Sequence, residues 1–168
     1  MGNGNRGNIM IIKNGLVFTP EGKFEKKDLY VEGEYVAKET TDNKEVEAEG
    51  CYVIPGLVDI HFHGCVRHDM CDGTEESIQA LADYEAANGV LAICPATMTI
   101  PEEELFQAMK AAKGHKNGKG ADFLGINMEG PFINKEKKGA QKEEDIKLAD
   151  VELFHKLQEA AEIGRAHV

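Results

Sequence analysis

From residue 9 to 54, apolar and polar side chains come in short runs broken by turn formers. "IMIIKNGLVF" carries Asn14-Gly15 at its centre, "PEGK" follows, and "DLYVEGEYVAKE" turns at Gly33-Glu34. Short runs punctuated in this way predict strands joined by tight turns, so the stretch reads as a small antiparallel β unit. From Pro55 the rhythm changes. Three almost continuously apolar runs, within 57–63, at "VLAICPAT" 90–97 and at "DFLGINME" 122–129, predict strands of a buried parallel sheet. Helical spacing fills the intervals. One helix is predicted over about 75–88, capped by Thr74, with Ile78, Leu81 and Glu85 marking its turns and Gly89 just past its end. A second covers about 101–113, with Pro101 at its first position, three glutamates in its first turn, and Leu105, Met109 and Ala112 on one face. A third follows Asp150 and buries Val151, Phe154, Leu157 and Ala161. Strand, helix, strand, helix, strand, helix is the order of βαβ units, and the fold class is α/β.

Between the third strand and the third helix lies "GPFINKEKKGAQKEEDIKLAD", a polar, charged loop of about twenty residues. Loops of that length in a compact domain are functional or disordered. A functional one here lies over the C-terminal ends of the strands, where α/β barrels keep their sites. Lys137 and Lys138 within it read as a solvated charge run.

Composition adjusts this picture modestly. With 168 residues, 42% of them apolar and 29% charged, the chain can build one core, or one core and a small appendage. No apolar run approaches membrane-spanning length. The opening "MGNGNRGNIMII" is too short in apolar residues for a secretory signal, and Arg6 stands where myristoylation requires Ser or Thr. The expected location is the cytoplasm. A net charge of −11 argues against nucleic acid or a membrane as partner, but leaves room for a small anionic substrate. Cys51, Cys65, Cys71 and Cys94 show no C-x-x-C spacing and are expected to be reduced. Cys65, His68 and Cys71 are spaced too irregularly for a soft-metal cluster and read as bystanders.

Candidate chemistry concentrates at the strand ends. Asp59, His61 and His63 sit two apart, so an extended chain projects all three to one side, and both imidazoles can reach one ion. Asp59, one pleat further back, could support a ligand or an ion pair. Glu129 closes the third strand just before Gly-Pro and delivers a carboxylate to the same end of the sheet; buried without a partner it would be costly. Imidazole and carboxylate together suit zinc, iron, manganese or cobalt, and the residues alone do not choose among these.

These segments resemble a known family. "PGLVDIHFHG" resembles the opening barrel strand of metal-dependent amidohydrolases, which ends in H-x-H. "GINMEGPFINKEKKGAQ" is more specific and resembles the E-G-P-F segment and following K-K-G-A-H-like loop of N-acetylglucosamine-6-phosphate deacetylases. The preceding β unit resembles that family's small β-sandwich domain, and the likeness runs to about residue 161. The resemblance implies residues 1–54 as the first part of the β-sandwich domain and 55–168 as about the first three βα units of a (β/α)8 barrel. It implies His61, His63 and Glu129 as metal ligands, one or two divalent ions with zinc or iron ahead of manganese or cobalt, and Ala140 and Gln141 as loop residues that touch the sugar. Gln141 stands where the family often has His, keeping hydrogen-bonding capacity without a titratable ring. The implied reaction is hydrolysis of the acetamide of N-acetyl-D-glucosamine 6-phosphate, by a water that the metal activates, to the amine and acetate. A homodimer is implied for the full-length protein.

A complete barrel has eight strands and about 250 residues. The resemblance therefore implies two further histidine ligands, the aspartate serving as general base and the phosphate-binding residues beyond residue 168, and the chain alone is expected to be inactive. The terminal "EIGRAHV" continues neither the third helix nor the family's pattern; it back-translates to a sequencing-adapter read and is expected to be foreign. Two other readings stay open: an amidohydrolase acting on a cyclic amide or an aminopurine, and a non-catalytic scaffold that kept the fold.

Overall fold

The computed structural model describes residues 10–33, 35–40 and 44–162. Arg6, Glu34 of the expected Gly33-Glu34 turn, and the terminal segment from residue 163 lie outside the described residues. The chain divides into two compact units, Met1–Pro55 and Gly56–Val168.

In the first unit, β1 (Met10–Phe18), β2 (Phe24–Glu32), β3 (Tyr35–Ala37), β4 (Glu45–Glu47) and β5 (Tyr52–Val53) form one five-stranded sheet. β1 pairs antiparallel with β2, and β2 with β3, but β4 and β5 both join β1 in parallel. The sheet is thus mixed, where the turn spacing predicts an antiparallel one. Nor does Asn14-Gly15 make a turn. β1 runs straight through the pair, and its register against β2 slips by one residue between Ile12 and Gly15. Asn14 takes the extra residue of this bulge at φ 61°, donating its N–H to Asp28 Oδ1 at 2.9 Å and its side-chain amide to the Glu47 carboxylate at 3.1–3.2 Å. Asn tolerates the left-handed region, so the signal that marks hairpins serves a bulge equally well. The expected "PEGK" turn is present, closed by Gly22 N–H to Thr19 O at 2.9 Å. Among the described residues of this unit, only Gly15, Val17, Thr19 and Ala48 are fully buried.

The second unit contains β6 (Leu57–Asp59), a hairpin of β7 (Gly64–Cys65) and β8 (His68–Asp69), α1 (Glu75–Ala87), β9 (Val90–Ile93), β10 (Ala96–Thr97), α2 (Glu102–Gly114), β11 (Asp122–Phe123), β12 (Asn127–Met128) and α3 (Val151–Ala161). β6, β9 and β11 form a parallel sheet in the order β11-β9-β6, and β10 pairs in parallel with β12. Each predicted long strand is therefore shorter, or broken in two. The breaks fall at Cys94-Pro95, since proline has no N–H for a ladder, and at Leu124–Ile126 around Gly125. Hydrogen bonds still stitch the segments across the gaps: Cys94 N to Asp59 O, 2.8 Å; Ala96 N to Phe62 O, 2.6 Å; Leu124 N to Ile93 O, 2.9 Å; and Asn127 N to Pro95 O, 3.0 Å.

The helices begin where the caps predict. Thr74 Oγ1 accepts the Ser77 N–H at 3.1 Å to start α1, and Asp150 Oδ1 accepts the Leu153 N–H at 3.0 Å to start α3. α2 starts one residue later than expected, because Pro101 is the flanking residue and not the first helical one. Ile78 joins Met70, Ala108, Ala111 and Ala112 in one cluster; Leu81, Ala82, Ile93 and Ala121 make a second. A third couples Leu105 and Met109 to Leu153, Leu157 and Ala161. The buried stripe of α3 is thus Leu153, Leu157 and Ala161; Val151, at the first turn, is 71% exposed. Away from these clusters, Leu57, Val58, Ile60, Leu91 and Leu124 are each more than half exposed. At the margin of β11, the Asn117 amide pairs with both main-chain groups of Phe123, accepting its N–H at 2.8 Å and donating to its C=O at 3.1 Å.

Candidate metal centre

β6 ends at Asp59, and residues 60–63 continue without regular strand pairing. Asp59 holds this continuation by accepting the His61 N–H on Oδ1 at 2.9 Å, so its carboxylate braces the main chain between the ligand candidates and not an imidazole. Asp59 also faces Glu85 of α1, whose carboxyl is pushed up first by burial and then by the charge of Asp59. The His61 and His63 rings stand 5.3 Å apart, near perpendicular at 84°.

Glu129 follows β12 directly, and the peptide bond after the next residue, Gly130–Pro131, is cis. A Cβ at position 130 would lie 2.8 Å from Thr99 Cα and 2.9 Å from Thr99 N, a contact with main chain that only glycine avoids. Glu129 Oε2 lies 3.0 Å from His63 Nε2 and 3.5 Å from His61 Nε2. The donor atoms of the trio all lie within 4.8 Å of one another, and it is the one such group of His, Cys, Asp and Glu among the described residues.

The donor set fits a divalent cation. Glu129 Oε2 is shut off from water yet makes no hydrogen bond, because the His63 ring approaches it outside hydrogen-bond geometry; His63 Nδ1 is likewise buried and unpartnered. Buried polar atoms without partners are rare and ask for an explanation. A tetrahedral ion with ligand bonds of about 2.0–2.2 Å sets neighbouring ligand atoms about 3.3–3.6 Å apart. Two of the observed separations, 3.0 and 3.5 Å, fall close to that.

The loop after Glu129 forms short 3-10 helices at Lys135–Lys137 and Glu143–Asp145. It is tied down by Lys147 N–H to Pro131 O at 3.0 Å and by Lys147 Nζ to Glu102 Oε2 at 2.8 Å. Gln141 is buried; its Oε1 accepts the Thr99 N–H at 2.5 Å and its Nε2 contacts Met98 Sδ at 3.6 Å, which pins the loop beside β10. Ala140, its neighbour, is exposed. Lys137 is exposed, as a solvated charge should be, whereas Lys138 Nζ donates to Gln141 O at 3.0 Å. Cys65, His68 and Cys71 form no ligand cluster: His68 Nδ1 meets Ser77 Oγ at 3.0 Å, and Cys71 Sγ accepts the Met98 N–H at 3.2 Å.

One participant escapes the sequence reading. Asn127, two residues before Glu129, places Nδ2 2.8 Å from Ile60 O and 3.1 Å from His61 Nδ1. Its position relative to Glu129, two apart on one extended segment, is the signal that could have marked it.

No family model matches the chain. An N-acetylglucosamine-6-phosphate deacetylase of Bacillus subtilis (strain 168) is 32% identical over 157 residues, which is 90% of this chain and 38% of that protein. Among solved structures, the N-acetylglucosamine-6-phosphate deacetylase of Pasteurella multocida superposes with a TM-score of 0.79 at 20% identity, covering 93% of this chain and 43% of that one. A mutant N-acetyl-D-glucosamine-6-phosphate deacetylase of Mycobacterium smegmatis, in complex with N-acetyl-D-glucosamine-6-phosphate, gives a TM-score of 0.77 at 21% identity over 93% of this chain and 42% of that one. Likeness at that identity speaks for a shared mixed α/β fold. Over nine-tenths of its length the chain is thus similar to proteins named N-acetylglucosamine-6-phosphate deacetylases, of whose length it spans about two fifths.

Proposed function

We propose that the protein to which this chain belongs hydrolyses the acetamide of N-acetyl-D-glucosamine 6-phosphate to D-glucosamine 6-phosphate and acetate. The observation that carries this reading is the meeting of Glu129 with His61 and His63, in a chain whose relatives bear that activity in their names. On this reading His61, His63 and Glu129 hold a divalent ion, zinc or iron ahead of manganese or cobalt, with one or two ions per site. Such an ion supplies Lewis-acid activation of water and of the amide carbonyl. The chain's own residues do the positioning. Asp59 braces the 60–63 segment by taking the His61 N–H, and Gly130 lets Glu129 reach the histidines past Thr99. The loop carrying Ala140 and Gln141 lies close by and is assigned to the sugar. Its anchoring by the Gln141 side chain leaves exposed Ala140 as the more accessible contact.

The same reading makes residues 1–54 part of a small β-sandwich domain and 55–168 the first three βα units of a (β/α)8 barrel. It places the enzyme in the cytoplasm as a homodimer, with a phosphorylated amino sugar as its small-molecule partner and neither nucleic acid nor membrane. The general base and phosphate ligands belong to barrel strands absent from these residues, so the chain alone binds metal without turning over substrate. Acetate release from N-acetyl-D-glucosamine 6-phosphate by the longer protein, with metal supplied, tests the proposal. Release is expected there and none from the 168-residue chain; a metal-loaded longer protein that releases no acetate overturns it.

A further inference from the structure

We infer that Asn127 is a positioning residue that sets which nitrogen of the neutral His61 ring carries the proton. The inference deepens the metal-site reading and rests on it for its consequence, though not for its first test. Asn127 Nδ2 stands 2.8 Å from Ile60 O and 3.1 Å from His61 Nδ1. A main-chain carbonyl can only accept, so the atom facing Ile60 O is the amide nitrogen, and the orientation of the amide is fixed. Its second N–H then points at His61 Nδ1, which must offer a lone pair. The proton of the neutral ring is left on Nε2, the nitrogen 3.5 Å from Glu129 Oε2. His63 has no such constraint, since its Nδ1 has no hydrogen-bond partner.

The two imidazoles are therefore inequivalent toward a cation. A ligating histidine ordinarily donates its other N–H to an acceptor, which fixes the tautomer with a lone pair toward the metal. Asn127 presents a donor where that acceptor belongs. It keeps His61 in the form whose Nε2 is already occupied by hydrogen, while His63 is free to ligate first. Replacing the donor by an acceptor of the same shape inverts the preference, and replacing it by an apolar side chain removes it.

Long-range nitrogen–proton NMR spectra of the metal-free chain, at a pH where the rings are neutral, read the tautomers directly. Expected are an unprotonated Nδ1 and protonated Nε2 on His61 in the wild type, a mixture in Asn127→Leu and the reverse form in Asn127→Asp, with His63 unchanged throughout. Zinc titrations should then rank affinity as Asn127→Asp above Asn127→Leu above wild type, the first exceeding wild type by about 10-fold, the scale of an outer hydrogen-bond partner. Asn127→Asp also gives up the bond to Ile60 O; Asn127→Leu gives up both bonds and separates charge from tautomer. A proton on Nδ1 in the wild type, or an unchanged tautomer in Asn127→Asp, overturns the inference. So does weaker zinc binding by Asn127→Leu with wild-type spectra, the mark of a purely structural residue. Should Asn127→Leu not fold, the tautomer reversal in Asn127→Asp decides alone. A wild-type chain that binds no zinc defeats the metal-site reading, while the metal-free spectra still decide the role of Asn127.

Discussion

Glu129→Gln keeps the shape of the side chain at the centre of the trio and withdraws its charge. Because Oε2 is the atom that both imidazoles approach, the substitution is expected to weaken zinc binding by more than the roughly 10–100-fold typical of losing an outer partner. Isothermal titration of the metal-free chain measures it, and binding within 3-fold of wild type would remove Glu129 from the site. Cys71 makes a second prediction at this scale. Burial pushes its thiol up from 9.0 to about 12. Below pH 9 the thiol is neutral whether the chain is folded or not and adds no pH dependence. Between pH 9 and about 12 the unfolded chain loses the proton while the folded chain keeps it, so stability falls as pH rises. Urea midpoints measured from pH 8 to 10.5 should decline, and decline less steeply in Cys71→Ala. That His61, His63 and Glu129 come together could be read from their types and spacing, since two imidazoles two apart and a carboxylate at a later strand end converge on one end of a parallel sheet. Asn127 carries only the weaker signal of standing two residues before Glu129, which places it on the same side of the segment but does not say what its amide meets.

Among the elements, the helices were the most legible. Thr74 and Asp150 announce their starts through a hydrogen bond that only a short oxygen-bearing side chain can make. The face of α3 was placed less well: the 3.6-residue period is satisfied by both Val151-Phe154 and Leu153-Leu157, and packing against Leu105 and Met109 selects the second. The strands were located but drawn too long, because hydrophobicity records where a segment is covered and says nothing of the N–H missing at Pro95. The approach of β12 to Thr99 supplies a prediction of its own. Gly130→Ala forces a methyl into the Thr99 main chain, and should cost about 1–3 kcal/mol of stability and displace Glu129, lowering zinc affinity as well. Thermal unfolding and zinc titration on the same variant check both; a variant as stable and as tight as wild type refutes the packing argument.

At the scale of the whole molecule, an α/β reading with a change of character at Pro55 came from the switch between turn-punctuated runs and strand–helix alternation. What could not be read was which strand side chains would remain uncovered. Leu57, Val58, Ile60, Leu91 and Leu124 satisfy the pattern of buried parallel strands but are mostly exposed here. Exposed apolar surface of this kind promotes association. The 168-residue chain is expected to self-associate in a concentration-dependent way and to bind a hydrophobic dye. Leu91→Lys with Leu124→Lys should shift sedimentation toward the monomer; unchanged sedimentation would locate the adhesive surface elsewhere.

The amide of Asn117 acts on the same sheet from its margin. By occupying both main-chain groups of Phe123 it imitates the rung of a missing neighbour, and any incoming strand finds that rung already taken. A single uncharged side chain thus closes this edge of β11 at Phe123.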